Sequence, residues 1–171
     1  MKKNKEITFE TAMFDNLAFA YSEGLFEAFT IQTHGREFSC DLNIFDNFVN
    51  DENYDLVLRF LEGMPVMYKK ARAEINANYQ TNELMKYFIQ SQVEEMEEKY
   101  LLPYFEAKSL AEITPERFID KLEMRIITIA PTKDGGCDCT LDFSIDPELS
   151  DELLVFRFDK NFEIYDISHE S

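Results

Sequence analysis

Cys137-Asp138-Cys139-Thr140-Leu141-Asp142-Phe143-Ser144-Ile145-Asp146 alternates apolar and polar side chains. In an extended chain, successive side chains point to opposite sides. Cys139, Leu141, Phe143 and Ile145 therefore share one face, and Asp138, Thr140, Asp142, Ser144 and Asp146 share the other. The pattern predicts an antiparallel strand with one face on a core and the other in water. Its flanks repeat the signal. Met124 to Ala130 reads as the preceding strand, and Pro131 to Gly136, with Asp134-Gly135-Gly136 at the tip, as a hairpin turn. Downstream, Pro147 to Asp151 reads as a turn or one helical turn. Leu153 to Phe158 and Phe162 to Ile167 read as a closing hairpin across Asp159-Lys160-Asn161.

The first quarter of the chain carries the same signature. Leu17 to Tyr21 is a short apolar run, followed by turn chemistry at Ser22-Glu23-Gly24. Leu25 to Thr33 is rich in aromatic and β-branched residues, His34-Gly35 marks a reversal, and Glu37 to Ile44 alternates. These segments predict a β-meander over residues 6 to 45.

Residues 50 to 122 change period. Asn50 or Asp51 can cap a helix carrying Tyr54, Leu56, Val57, Leu58, Phe60 and Leu61, which Gly63 and Pro65 close or kink. Val66 to Ala77 reads as a second helix through Met67, Ala71 and Ile75. Met85, Ile89, Val93, Met96 and Tyr100 follow steps of three and four and form one stripe of a third helix, which Pro103 stops. Thr114-Pro115 is an N-cap followed by Pro at the first helical position, and the short helix behind it offers Phe118, Ile119 and Leu122 to a core. Strands, helices and strands in that order define an α+β class. The expected architecture is a mainly antiparallel sheet from the N- and C-terminal meanders, packed against three or four central helices, with residues 1–171 as a single domain.

Composition limits the functions. The chain has 34 Asp and Glu against 17 Lys and Arg, a net charge of -17 spread along its length. Such a field repels nucleic-acid backbones and anionic membrane surfaces and attracts basic partners. Apolar residues make up 45% and aromatics 14%, enough for a core and unlike an acidic disordered chain. No run approaches the ~18 apolar residues of a membrane span, and no apolar segment follows the basic start Met1 to Lys5. With an odd set of three cysteines, the expected setting is the reducing cytoplasm.

The candidate chemistry is sparse. Cys137 and Cys139 on one strand face can share a metal with Cys40 and a histidine, yet a single intervening residue departs from usual zinc spacing. Asp138, Asp142 and Asp146 lie about 13 Å apart per step of four residues, too wide for neighbours to share one calcium ion, and read as a solvated acidic face. His34, in a turn, and His169, near the end of the sequence, both read as exposed. No phosphate-binding glycine loop, dinucleotide fingerprint, nucleophile elbow or zinc-protease motif occurs. No catalytic residue, metal or cofactor is expected. Glu94, Glu95, Glu97 and Glu98, with Asp138 and Asp142, are the candidate contacts for a basic protein.

One resemblance accompanies these readings. Leu141-Asp142-Phe143-Ser144-Ile145-Asp146-Pro147-Glu148-Leu149-Ser150-Asp151-Glu152-Leu153-Leu154-Val155-Phe156-Arg157-Phe158-Asp159, followed by Glu163-Ile164-Tyr165-Asp166-Ile167-Ser168-His169-Glu170-Ser171, resembles the end of a family of uncharacterised bacterial proteins grouped as a domain of unknown function. The likeness covers Phe118 to Ser171 best and extends weakly to Phe14 to Ile44. It implies a bacterial, cytosolic origin and carries over no catalytic residue. By size and charge alone the chain is also similar to immunity proteins, which neutralise a basic toxin by covering its active site. The leading expectation is a non-enzymatic acidic protein-binding domain. A hydrolase with a cryptic carboxylate or metal site and an oligomeric structural protein stay open as alternatives.

Overall fold

The computed structural model describes the backbone of residues 7–11, 14–19, 25–33, 36–44, 53–146 and 148–171, and the side chains of residues 39–44, 53, 55–146 and 148–171. Among the described residues, eight strands and four α-helices run in the order β1 (Ile7–Thr11), β2 (Phe14–Phe19), β3 (Leu25–Thr33), β4 (Arg36–Ile44), α1 (Tyr54–Asn78), α2 (Glu83–Glu95), α3 (Glu98–Phe105), α4 (Pro115–Lys121), β5 (Glu123–Pro131), β6 (Cys137–Ser144), β7 (Leu153–Phe158) and β8 (Ile164–Glu170). A short 3-10 turn at Leu110–Glu112 precedes α4. The expected α+β class is the one found.

The expected meander is divided. β1 and β2 form a separate two-stranded sheet, while β3 to β8 form a six-stranded sheet in sequence order. All neighbours in the larger sheet are antiparallel except β4 and β5, which pair in parallel from Asp41 opposite Ile126 to Ile44 opposite Ile129. A parallel pair needs a crossover, because a hairpin reverses the chain. The helical segment supplies it. The proposed turns at Ser22-Glu23-Gly24 and His34-Gly35, and the proposed caps Asn50 and Asp51, lie outside the described residues.

The two helices expected on either side of Gly63 and Pro65 are one. Pro65 lies inside α1, where it lacks an N–H and crowds the preceding turn. An interior proline costs about 3 kcal/mol. The buried stripe of Val57, Phe60, Leu61, Met64, Met67, Ala71 and Ile75 outweighs that cost by continuing across it, since each large apolar side chain removed from water contributes about 1.5–3 kcal/mol. Gly63 has a different purpose from termination. A Cβ there would come within 2.3 Å of the Phe162 ring. Phe162 sits in the β7–β8 turn at φ 63, a left-handed conformation unusual for a bulky residue. The turn is held by the Asp159 carboxylate, which accepts from the backbone N–H groups of Asn161 and Glu163, and by the Phe162 ring against Phe60 at 6.0 Å.

The caps explain the other helix starts. The Asn82 side chain accepts from the N–H groups of Leu84 and Met85 at the head of α2, and Thr114 accepts from Arg117 N–H at the head of α4. Both satisfy donors that a helix N-terminus leaves unpaired.

The helices meet the sheet face formed by Leu42, Ile127, Leu141, Phe156 and their strand neighbours, all buried. Tyr68 of α1 stacks on Phe143 of β6 at 6.2 Å. Phe88 of α2 meets Phe118 of α4 edge-on at 6.0 Å, and Phe105 of α3 stacks on Phe118 at 5.8 Å. Arg72 of α1 donates to the Leu122 carbonyl at 2.7 Å, tying the long helix to the entry of β5. We expect Gly63→Ala to lower stability by about 1–3 kcal/mol in urea unfolding, despite its better helix propensity. In the background of Phe162→Ala the same substitution should cost far less, and a cycle with no coupling would remove the proposed contact.

Candidate partner-binding site

The acidic run Glu94 to Glu98 does not lie on a continuous helix. α2 ends at Met96, whose ψ of 141° is extended, and Glu97 at ψ 131° is extended as well. The break separates like charges. In an unbroken helix, Glu94 would stack on Glu97 and Glu98, and Glu95 on Glu98, each a destabilising like-charge pair. After the break, Glu98 occupies the first turn of α3, where a carboxylate is favoured by the helix dipole. The expected third helix through Tyr100 is thus two helices. Pro103 lies within the second, which ends at Phe105. The stripe divides accordingly: Met85 and Ile89 are buried, whereas Tyr100 is 52% exposed.

Two clefts flank the break. One, of about 430 Å³, is lined by Glu95, Met96, Glu97, Tyr100, Glu148 and Leu149. The other, of about 490 Å³, has Ile89, Val93 and Ile113 among its walls and Glu94, Lys86 and Tyr79 at its margin. Glu94 accepts from the Gln90 side-chain amide at 2.6 Å. Lys99 pairs with Glu97 at 2.7 Å, and its ammonium lies 4.7 Å from the centre of the Tyr100 ring. Sequence reasoning placed Glu95 and Glu97 here. It missed Glu148 and Leu149, which reach the cleft from the β6–β7 connection, because no local pattern links a loop to a distant helix.

Asp138 and Asp142 sit elsewhere, on the sheet face turned from the helices. Asp138 is exposed. Asp142 is only 8% exposed and Ser144 beside it 1%, which corrects the expectation of a uniformly solvated acidic face. The register gives the reason. The cross-strand neighbours of Asp142 are Ile126 and Val155, which exclude water and offer no side-chain donor. Burial raises the Asp142 carboxyl to about 6, and Glu170 adds to the rise, while Thr140 and Arg157 oppose it. Asp142 in this fold offers a partner almost no surface.

The three cysteines are free. Burial is the first cause that pushes the Cys137 thiol up to about 12, with Asp138 adding to it, and the same effect raises Cys40 and Cys139. The thiolate is the nucleophile and metal ligand, so these environments hold all three as thiols at neutral pH. Among the described residues no group of three or more His, Cys, Asp or Glu is placed to hold a metal ion. His34 lies outside the described residues. His169 is not exposed as expected. The β8 register sets it opposite Leu154 on the helix side, its side chain is 16% exposed, and its ring meets Phe88 edge-on at 5.3 Å. Its Nε2 pairs with the Glu152 carboxylate.

Comparison of the chain with protein-family models, curated proteins and solved structures returns no match. No helix among the described residues is long and apolar enough to cross a membrane.

The buried carboxyl makes a testable demand. Unfolding returns Asp142 to the ordinary carboxylate range, so between about pH 4 and pH 6 the unfolded chain has released a proton that the folded chain keeps. This group therefore lowers stability as pH rises through that window, and its full penalty is present above it. We expect Asp142→Asn to stabilise the protein at about pH 8 by up to about 3 kcal/mol and to lose that advantage near pH 4. Denaturant titrations at the two pH values read the difference; an equal effect at both contradicts the assignment.

Proposed function

We propose that this chain is a non-enzymatic binding protein that docks a basic protein partner at the α2–α3 break, in the manner of immunity-like neutralisation. The observation that carries the reading is the grouping of three carboxylates, Glu95, Glu97 and Glu148, around the apolar surface of Met96, Leu149 and Tyr100 in one cleft. A lysine or arginine of a partner can lay its aliphatic stem on the apolar residues and keep its charged head among the carboxylates. Lys99 supports this by example: the chain's own ammonium already rests between the Glu97 carboxylate and the Tyr100 ring.

Magnitudes divide the work. An exposed ion pair contributes roughly 0.2–1 kcal/mol, so the carboxylates alone do not make a tight complex. Burial of Tyr100 and its apolar neighbours supplies the affinity, at roughly 25 cal/mol per Å² of apolar surface. The net charge of -17 supplies steering, which speeds encounter and weakens with salt.

A salt-dependent pull-down from the native lysate tests the proposal, with wild type beside the triple variant Glu95→Gln, Glu97→Gln, Glu148→Gln and beside Tyr100→Ala. We expect one basic protein to be retained by the wild type at low salt, released at high salt, and lost from both variants. Recovery of no basic protein, or equal recovery by the triple variant, overturns the reading.

A further inference from the structure

The sheet face turned away from the helices carries polar atoms that the fold does not use. Asn43 Oδ1, Asp142 Oδ1 and Ser144 Oγ are buried and have no hydrogen-bond partner. Cys40, Leu42 and Ile44 of β4 and Cys139, Leu141 and Phe143 of β6 are the core-facing set, so the alternation places Asn43, Asp142 and Ser144 together on the opposite side. The ladder sets Asp142 next to Ser144 along β6, with Asn43 two strands away and further along the face. Asp41 and Asp142 flank Ile126 in one cross-strand row, and Asn43 and Thr140 flank Thr128 in the next. Buried polar atoms are nearly always bonded, and an acceptor left without a donor is expensive. The Ser144 hydroxyl, with the Asp142 carboxyl beside it on β6, calls for a partner from outside the fold.

A cleft of about 300 Å³ opens on this patch. Ser144 lines it, together with Ser39, Asp41, Arg125, Ser150 and Asp151. Its volume is at the small end of the range for small-molecule sites. We propose that this cleft binds a small organic cation rich in N–H donors, a guanidine or primary amine on a short carbon chain.

Charge and valence select that class. Of the unpartnered oxygens Ser144 Oγ lines the cleft, Asp41 and Asp151 add carboxylates at its wall, and the Asp142 carboxyl stands two residues from Ser144 on the same strand face. Arg125, the cation among the described residues that line the cleft, is engaged with the Ile145 carbonyl at 3.1 Å and with Glu123 at 3.4 Å. An anion would meet Asp41, Glu123, Asp142 and Asp151. A bare metal ion needs several oxygen ligands within about 2.6 Å, and among the described residues no group of three or more acidic, His or Cys side chains is so placed. Ile126 and Leu153, also on the cleft wall, offer apolar surface to a ligand's carbon chain. The site is distinct from the acidic break between α2 and α3, so the two proposals stand or fall separately.

Protonation gives the site a second signature. Burial holds Asp142 protonated up to about pH 6, and a bound cation favours its ionised form. Among the described residues, the other charged groups on this side are Asp41 of β4, Glu123 and Arg125 of β5, Asp138 of β6, Arg157 of β7, Asp166 and Glu170 of β8, and Asp146 and Asp151 of the connection between β6 and β7. Binding should therefore weaken as pH falls through that value.

Agmatine, which carries a guanidinium and an ammonium on a four-carbon chain, is the probe. The test is an amide NMR titration of the full chain at physiological salt. We expect saturable shifts at residues 39–41, 126, 144 and 150–153, with a dissociation constant of millimolar or tighter. Asp41→Asn should weaken binding about tenfold. Asp142→Asn, expected above to be at least as stable as the wild type at about pH 8, should weaken it and remove its loss between about pH 7.5 and pH 5. The proposal is overturned by no saturation up to about 10 mM agmatine, by shifts confined to Glu94 to Glu98, by unchanged affinity in both variants, or by magnesium or calcium producing the same shifts at lower concentration.

Discussion

The parallel pairing of β4 with β5 is the constraint from which the rest of the architecture follows. Four residue pairs, Asp41 with Ile126 through Ile44 with Ile129, join the N-terminal strands to the C-terminal ones. To make that pairing, the chain must leave the end of β4 and return to its beginning. The 25-residue α1 spans most of the distance in one element, at about 1.5 Å per residue. Its unbroken length is thus a requirement of topology, and Pro65 is tolerated because the stripe on both sides of it packs on the sheet. The remaining helices then cover what α1 leaves open, with Phe88, Phe105 and Phe118 as their common contact.

Charge acts on this frame locally as well as globally. The break between α2 and α3 falls within the glutamate run at residues 94 to 98, where the apolar stripe alone would continue the helix. The interruption turns Tyr100 outward and opens a cleft that a straight helix would not have. On the other side of the sheet, the same acidic composition places Asp142 where its strand neighbours exclude water. In both places a carboxylate in an unfavourable position gives the surface a feature with chemical character.

What the sequence made legible was set by interaction range. The alternation from Cys137 to Asp146 and the turn at Asp134-Gly135-Gly136 report local geometry, and the strand and hairpin they predict are present. So are the Thr114 cap and the burial of Phe118, Ile119 and Leu122. Gly63 and Pro65 misled because their local meaning is termination, while the deciding contacts come from Phe162, a hundred residues away, and from the sheet. His169 was misread for a similar reason: proximity to the end of the sequence says nothing of a strand register that turns a ring inward. Of the candidate site, the glutamates were legible as charge. The cleft was not, since Glu148 and Leu149 join it only through the fold.

The six-stranded order ends at β8, and that strand has a consequence for association. Exposed Asp166 and Glu170 stand along it, each paired back to Arg157 of its inner neighbour. The inward pairing engages the Arg157 guanidinium within its own sheet and not with an incoming strand. A second copy aligned alongside would have to set its own anionic row against this one. Lateral growth of the sheet is opposed at its margin, so the molecule guards against fibrous stacking with the same acidic residues that set its electrostatic character.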